Sequence, residues 1–300
     1  MKGRALSLLF GAFSTSAVLA AAADPSPSLA TPPDSVLYLR SPGPLMVKIA
    51  GGGFVMGSTP EDLMSALSLC AREPLGHRCN EQTFANELGR RVLRLPAFFI
   101  DRTEVTVEAY ARCVELGRCE PAGYGNGAAR FARPDFPVTF VNHDDARAYC
   151  HFRGARLPTE AEFERVARGP GGRSYPWGEL YNGHVSNHGR LALLANEPDD
   201  GYAELAPVGA FPSGRTAEGV LDLAGNVAEW VADVYRERYS DVQPRPGDAE
   251  QRVVRGGSYE SAAPFLRGAA RRGVSRDTVS PTIGFRCAQH SEDGQLEDSE

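Results

Sequence analysis

The sequence predicts an α+β domain in which loops outweigh regular structure, and three observations carry that reading. Helical periodicity appears only in short patches, glycine and proline are abundant, and an even set of six cysteines is available for cross-linking. The 32 glycines and 22 prolines are spread along 300 residues rather than gathered in one tail, and no repeat or low-complexity run stands out. That pattern disfavours helix bundles and solenoids. With 42% hydrophobic and 23% charged residues the chain can bury a sizeable core. A formal charge of -6 gives no basic footprint for phosphate backbones, so nucleic acid is not an expected partner.

The first residues read as an export signal. Lys2 and Arg4 form a basic start, an apolar stretch runs from Ala5 to Leu19, and Ala20, Ala21, Ala22 and Ala23 supply small residues for cleavage. Ser14, Thr15 and Ser16 interrupt the apolar stretch, which is short for a bilayer, so no membrane span is expected after cleavage. Residues 1–23 are therefore assigned as the signal and residues 24–44, rich in Pro, Ser and Ala, as a flexible leader. The folded domain is expected over residues 45–289 and a disordered tail over 290–300. The expected location is the periplasm or the extracellular medium.

An oxidising compartment makes disulfides the default for the cysteines, with every pairing formally open. Cys70 with Cys79 and Cys113 with Cys119 would each close a short local loop. Cys150 and Cys287 would then close a long one, worth on the order of 5 kcal/mol in the chain-entropy account. There is no Cys-x-x-Cys pair to suggest zinc or dithiol redox chemistry.

Local patterns place the elements. Val47, Lys48 and Ile49 read as a strand, Gly51, Gly52 and Gly53 as a turn, and Phe54, Val55 and Met56 as a second strand. The glycine triplet lacks a following Gly-Lys-Ser/Thr and a helix start, so it is not a phosphate loop. Residues 106–115 read as a helix with Val107, Tyr110, Cys113 and Val114 at helical spacing. Residues 143–153 form a second, with Asp144 and Asp145 at its positive end and Gly154 to stop it. In the third, Thr159 is the N-cap and Glu162 its capping-box partner, with Phe163, Val166 and Ala167 facing inward.

Ordered motifs run through the domain. They are Gly51 to Gly57, Phe99-Ile100-Asp101-Arg102-Thr103-Glu104-Val105-Thr106, Pro137-Val138, and Ala148-Tyr149-Cys150. Arg156-Leu157-Pro158-Thr159-Glu160-Ala161-Glu162-Phe163-Glu164, Tyr175-Pro176-Trp177-Gly178, and Gly225-Asn226-Val227-Ala228-Glu229-Trp230 follow. The series ends with Arg255-Gly256-Gly257-Ser258-Tyr259 and Gly284-Phe285-Arg286-Cys287. Together they resemble the formylglycine-generating enzyme, or sulfatase-modifying factor, family over about residues 45–289.

The resemblance implies the sulfatase-modifying-factor fold, related to C-type lectin-like folds, and a Cys150–Cys287 pair. A second core disulfide of the family is missing, its positions falling at Ala167 and near Gly268. Two structural calcium ions are implied, the first carried by Asn187, His188, Asp200 and Tyr202 and the second by Asp222, Gly225, Val227 and Glu229. Asn187, Asp200, Asp222 and Glu229 would offer side-chain oxygen and the others backbone carbonyls, the hard ligands calcium requires.

Catalytic members hold copper(I) through two cysteines shortly after the Arg-Gly-Gly-Ser motif. Here the segment from Ser258 to Arg271 contains no cysteine, and serine cannot replace thiolate for Cu(I). Three readings follow. One is a calcium-stabilised binding or accessory module for a protein, peptide or glycan, with a groove near Ser258, Tyr259, Glu260 and Arg271. Another is an oxidase of different chemistry, like the periplasmic relatives of siderophore maturation. The last is a formylglycine-generating oxidase acting on sulfatases.

Overall fold

The structure is a computed structural model that describes residues 45–125, 127–191, 200–241 and 250–291. The assigned signal, the leader and residues 292–300 of the assigned tail lie outside the described residues. Strands β1 (Met46–Ile49) and β2 (Gly52–Met56) follow the sequence reading, but they do not pair with each other. β2 pairs antiparallel with β3 (Arg91–Leu95). β1 pairs with β4 (Phe98–Asp101), whose other edge takes β9 (Ala288–His290). His290 thus belongs to a strand, so ordered structure enters the expected tail. The third sheet has the order β7-β6-β5-β8, from Arg271–Ser275, Gln251–Arg255, Ala228–Val234 and Ile283–Phe285, with β5 and β8 parallel.

Helix α1 (Pro60–Cys70) escaped the sequence reading although its start is spelled out. Thr59 caps it, Asp62 completes the capping box, and Pro60 opens the first turn. A single turn, α2 (Glu81–Phe84), follows. Helices α3 (Val107–Glu115), α4 (His143–Phe152) and α5 (Glu160–Arg168) lie where periodicity placed them. Thr106 is a cap rather than a helical residue, and the Thr159–Glu162 box forms in both directions.

β5 explains the packing. Trp230 faces one core with Tyr110, Tyr149 and Phe285, while Val231 faces another with Phe98, Ile100, Phe163 and Val253. A strand covered on both faces reads as a continuous buried run. Here it carries one buried charge, Glu229. The structure joins Cys70 to Cys79, Cys113 to Cys119 and Cys150 to Cys287, the last tying α4 to the segment between β8 and β9.

Candidate functional site

The groove is built on the sheet. Val254 and Arg272 are cross-strand partners, as are Trp230 and Val254, so Ala228, Val254 and Arg272 project from the same face. Residues 256–270 arch over that face and enclose a cavity of about 300 Å³. Gly257 enables the arch: its φ is 69°, and a Cβ there would lie 2.9 Å from the Phe265 carbonyl oxygen. Ser258 opens a tight turn, its N–H donating to Ser261 Oγ at 2.9 Å and its Oγ accepting the Glu260 N–H at 3.3 Å. The turn pushes Glu260 outward to the cavity wall, where Arg272 also stands.

Two groove candidates take other places. Tyr259 is buried with Phe131, Phe136, Leu205 and Val227 and does not line the cavity. Arg271 touches the wall, but its guanidinium is committed to Glu160 in a two-point ion pair at 2.6 and 2.8 Å. Alternation along β7 is the reason, since Arg271 and Arg272 point to opposite faces. Arg272, absent from the sequence reading, is the cation that serves the cavity.

Beneath the groove runs a network the sequence reading also missed. Arg255 binds Glu164 at 2.7 Å and Glu160 at 3.2 Å, and Arg168 binds Glu164 at 2.9 Å. Asp233 accepts the Glu160 N–H. Three arginines thus meet Glu160, Glu164 and Asp233 in charge balance. Burial alone would raise the Glu164 carboxyl, yet Arg255 and Arg168 hold it below the ordinary range.

A second cluster is not balanced. Glu104, half-buried Asp222, and Glu229 lie together with one guanidinium, Arg286, which binds Glu229 at 2.7 Å through Nε and Nη2. Burial, then the neighbouring Asp222, pushes the Glu104 carboxyl well above its usual value, and burial raises Asp222 and Glu229 too. Glu104 Oε2 has no donor. Asn226 joins this cluster to the other expected ligand set. Its Nδ2 donates to Glu104 at 3.0 Å, and its Oδ1 accepts from Asn187 Nδ2 at 3.0 Å. Gly225 has φ 100° and no room for a side chain, because the Asn187 carbonyl oxygen lies 2.1 Å from where its Cβ would be.

The expected calcium ligands divide by fit. Asn187 Oδ1 is buried without a donor, and Asn187 lines, with Asp222 and Gly225, a void of about 10 Å³, space for one water or ion. With three carboxylates against one arginine, this cluster has the charge for a divalent cation. Asp200 is already filled by the His188 and Tyr202 N–H groups, at 2.7 and 2.9 Å. The His188 ring contacts Tyr181 Oη at 3.1 Å, leaving only its main chain for a metal. Val227 packs in the core, so it too has only its carbonyl to offer. Among the described residues no three acidic, histidine or cysteine side chains converge as a metal cluster, so a cation here needs amide and main-chain oxygens as well.

A larger cavity, about 710 Å³, lies between α1 and residues 174–181. Arg168 and Arg267 in its floor are neutralised by Glu164 and Glu87. No thiol is available in either cavity, because all six cysteines are in disulfides. A Cβ on Gly268 would lie 3.3 Å from the Ala167 Cβ, so the positions assigned to the missing disulfide do face each other.

Residues 37–291 match the family described as the sulfatase-modifying factor enzyme 1-like domain. The chain belongs to that family. It is 39% identical over 177 residues to the inactive C-alpha-formylglycine-generating enzyme 2 of Bos taurus, covering 56% of this chain and 54% of the relative. It is 40% identical over 175 residues to the formylglycine-generating enzyme of Streptomyces coelicolor, covering 53% of this chain and 54% of the relative. A hercynine oxygenase of Mycolicibacterium thermoresistibile is 32% identical over 279 residues, 77% of this chain and 59% of the relative. The chain spans about half the length of the first two relatives. PvdO from Pseudomonas aeruginosa shares the fold at a TM-score of 0.64 and 24% identity, covering 83% of this chain and 95% of PvdO. Among the described residues no helix is long and apolar enough to cross a membrane.

Proposed function

We propose that this family member is an exported binding or accessory module whose groove beside Ser258 receives a protein, peptide or glycan segment without copper-dependent oxidation. One observation carries the reading: the six cysteines are consumed by three disulfides, so no thiolate remains to hold Cu(I). Similarity to a relative named as an inactive formylglycine-generating enzyme supports it. The test is to incubate the purified protein with Cu(I), oxygen and a Cys-x-Pro-x-Arg peptide, with binding to peptide and glycan arrays measured in parallel. Binding without conversion of thiol to aldehyde is expected, and aldehyde in the peptide mass spectrum overturns the proposal.

Calcium belongs to the same proposal as a structural ion. Asp222, Glu229 and Glu104, with Asn187 and the carbonyls of Gly225 and Val227, are the residues on this chain that would hold it. Its contribution would be charge neutralisation inside the fold. The Asn187, His188, Asp200 and Tyr202 set is the weaker of the two, because both Asp200 oxygens already accept main-chain N–H groups, whereas Asp222 accepts one, from Gly209 on Oδ2.

A second reading, an oxidase of different chemistry, is favoured by the similarity to a hercynine oxygenase over 77% of the chain. Oxygen uptake in the presence of a siderophore precursor would support it in preference to the binding module.

A further inference from the structure

The cavity under residues 256–270 carries two unspent charges of opposite sign. Glu260 and Arg272 both line it, and among the described residues neither makes a side-chain ion pair or hydrogen bond. Every arginine close behind the wall is used: Arg255 by Glu160 and Glu164, Arg271 by Glu160. Apart from Arg271, the rest of the lining is apolar or weakly polar, from Ala228, Val254, Phe265 and Ala270 to Ser258, Ser261 and Thr282. Both side chains are exposed at the mouth of the cavity, and Glu260 is the charge that favours the Arg272 guanidinium.

An unpaired carboxylate and an unpaired guanidinium on one small cavity suit a ligand with both charges. A purely anionic ligand would meet Glu260, and a purely cationic one Arg272. At about 300 Å³ the space suits one or two amino-acid residues rather than a folded segment. Resting on the groove reading above, we infer that the cavity recognises a zwitterion of amino-acid or dipeptide size. Its ammonium faces Glu260, its carboxylate pairs with Arg272, and its side chain rests on Val254 and Phe265. The planar fork of Arg272 matches a carboxylate in a two-point arrangement, which fixes the ligand's direction in the cavity.

The probe is the dipeptide Ala-Leu, compared by calorimetry on the full chain with N-acetyl-Ala-Leu and with Ala-Leu amide. Free Ala-Leu should bind best, and each cap should weaken binding about tenfold, the scale of one lost hydrogen bond to a charged group. Glu260→Gln should abolish the discrimination against the acetylated peptide alone, and Arg272→Gln that against the amide alone. Equal affinity for all three peptides, with binding still lost on Phe265→Ala, would overturn charge recognition and leave the groove reading intact. If no dipeptide binds while longer array peptides do, the zwitterion inference also falls. If nothing binds at the groove in either format, both readings fall together.

Discussion

The carboxylates around Glu164 and those around Glu104 sit equally deep, yet the protein neutralises only the first set by itself. Glu160, Glu164 and Asp233 face Arg168, Arg255 and Arg271, whereas Glu104, Asp222 and Glu229 share Arg286. In the first, Glu164 pairs with Arg168 one turn along the same helix and with Arg255 on β6, Glu160 pairs with Arg255 and with Arg271 on β7, and Asp233 accepts the Glu160 N–H. The second leaves Glu104 Oε2 and Asn187 Oδ1 without donors, and Asn187 and Asp222 line an atom-sized void. Equal burial with unequal compensation separates scaffold from an open site. It also accounts for the family motifs, since Arg255, Arg286 and the Glu160 and Glu164 carboxylates are mainly structural.

The largest effect should come from breaking the closed network. Glu164→Ala strands Arg255 and Arg168 in the interior and should cost about 3–5 kcal/mol in urea denaturation. A loss below 1 kcal/mol would show that the arginines reach water.

The open cluster should respond to calcium instead. At a hundredfold excess over its Kd, calcium should add about 2.7 kcal/mol, and EGTA should lower Tm. Glu104→Gln should abolish that difference while raising the stability of the EGTA-treated protein, because it removes like-charge repulsion. An unchanged melt in EGTA, with no calcium on elemental analysis, would reduce the two clusters to one kind.

The pH dependence sharpens the same contrast. Carboxyls raised in the folded state bind more protons there than when unfolded. The stability they contribute is therefore present at low pH and lost as pH rises through their elevated values. In EGTA, stability should fall as pH rises above about 4.5; with calcium that slope should vanish.

His143 supplies a control outside both clusters. Burial lowers it from 6.5 to about 4, with its Nε2 on the Val231 carbonyl oxygen at 3.1 Å. A depressed histidine contributes stability above pH 6.5 and loses it as pH falls toward 4, on the order of 3 kcal/mol. This slope runs opposite to that of the carboxyl cluster, and in His143→Gln it should disappear with or without calcium.

The smallest effects belong to the groove. Glu260→Gln and Arg272→Gln should each change stability by less than about 0.5 kcal/mol, since neither charge holds the fold. A larger loss would move them from recognition to scaffold.

Sequence was most legible where the cause is local. The expected capping box of α5 depends on residues three positions apart and forms; the structure adds one at α4, between Asn142 and Asp145. α1 carries the same kind of local signal in Thr59, Pro60 and Asp62. Glu104 and Asn226 stood inside recognised motifs without a role. A glutamate set just before Val105 in a strand-to-helix connection was the available signal. Arg271 and Tyr259 were drawn to the groove by closeness in sequence to Ser258, which does not fix the face a side chain occupies.

By itself the sequence determined the family, the α+β class, the three central helices and the absence of a cysteine in the segment that would hold copper. These depend on residue identity and near-neighbour spacing, which need no folded chain. Only tertiary structure decided that β1 and β2 pair with separate strands, and that Arg271 faces Glu160 while Arg272 faces the cavity. It also decided that Asn226 links two ligand sets 39 residues apart, Asn187 to Asn226. Those outcomes turn on which distant charges and carbonyls come within hydrogen-bond reach, a matter of where the backbone places them.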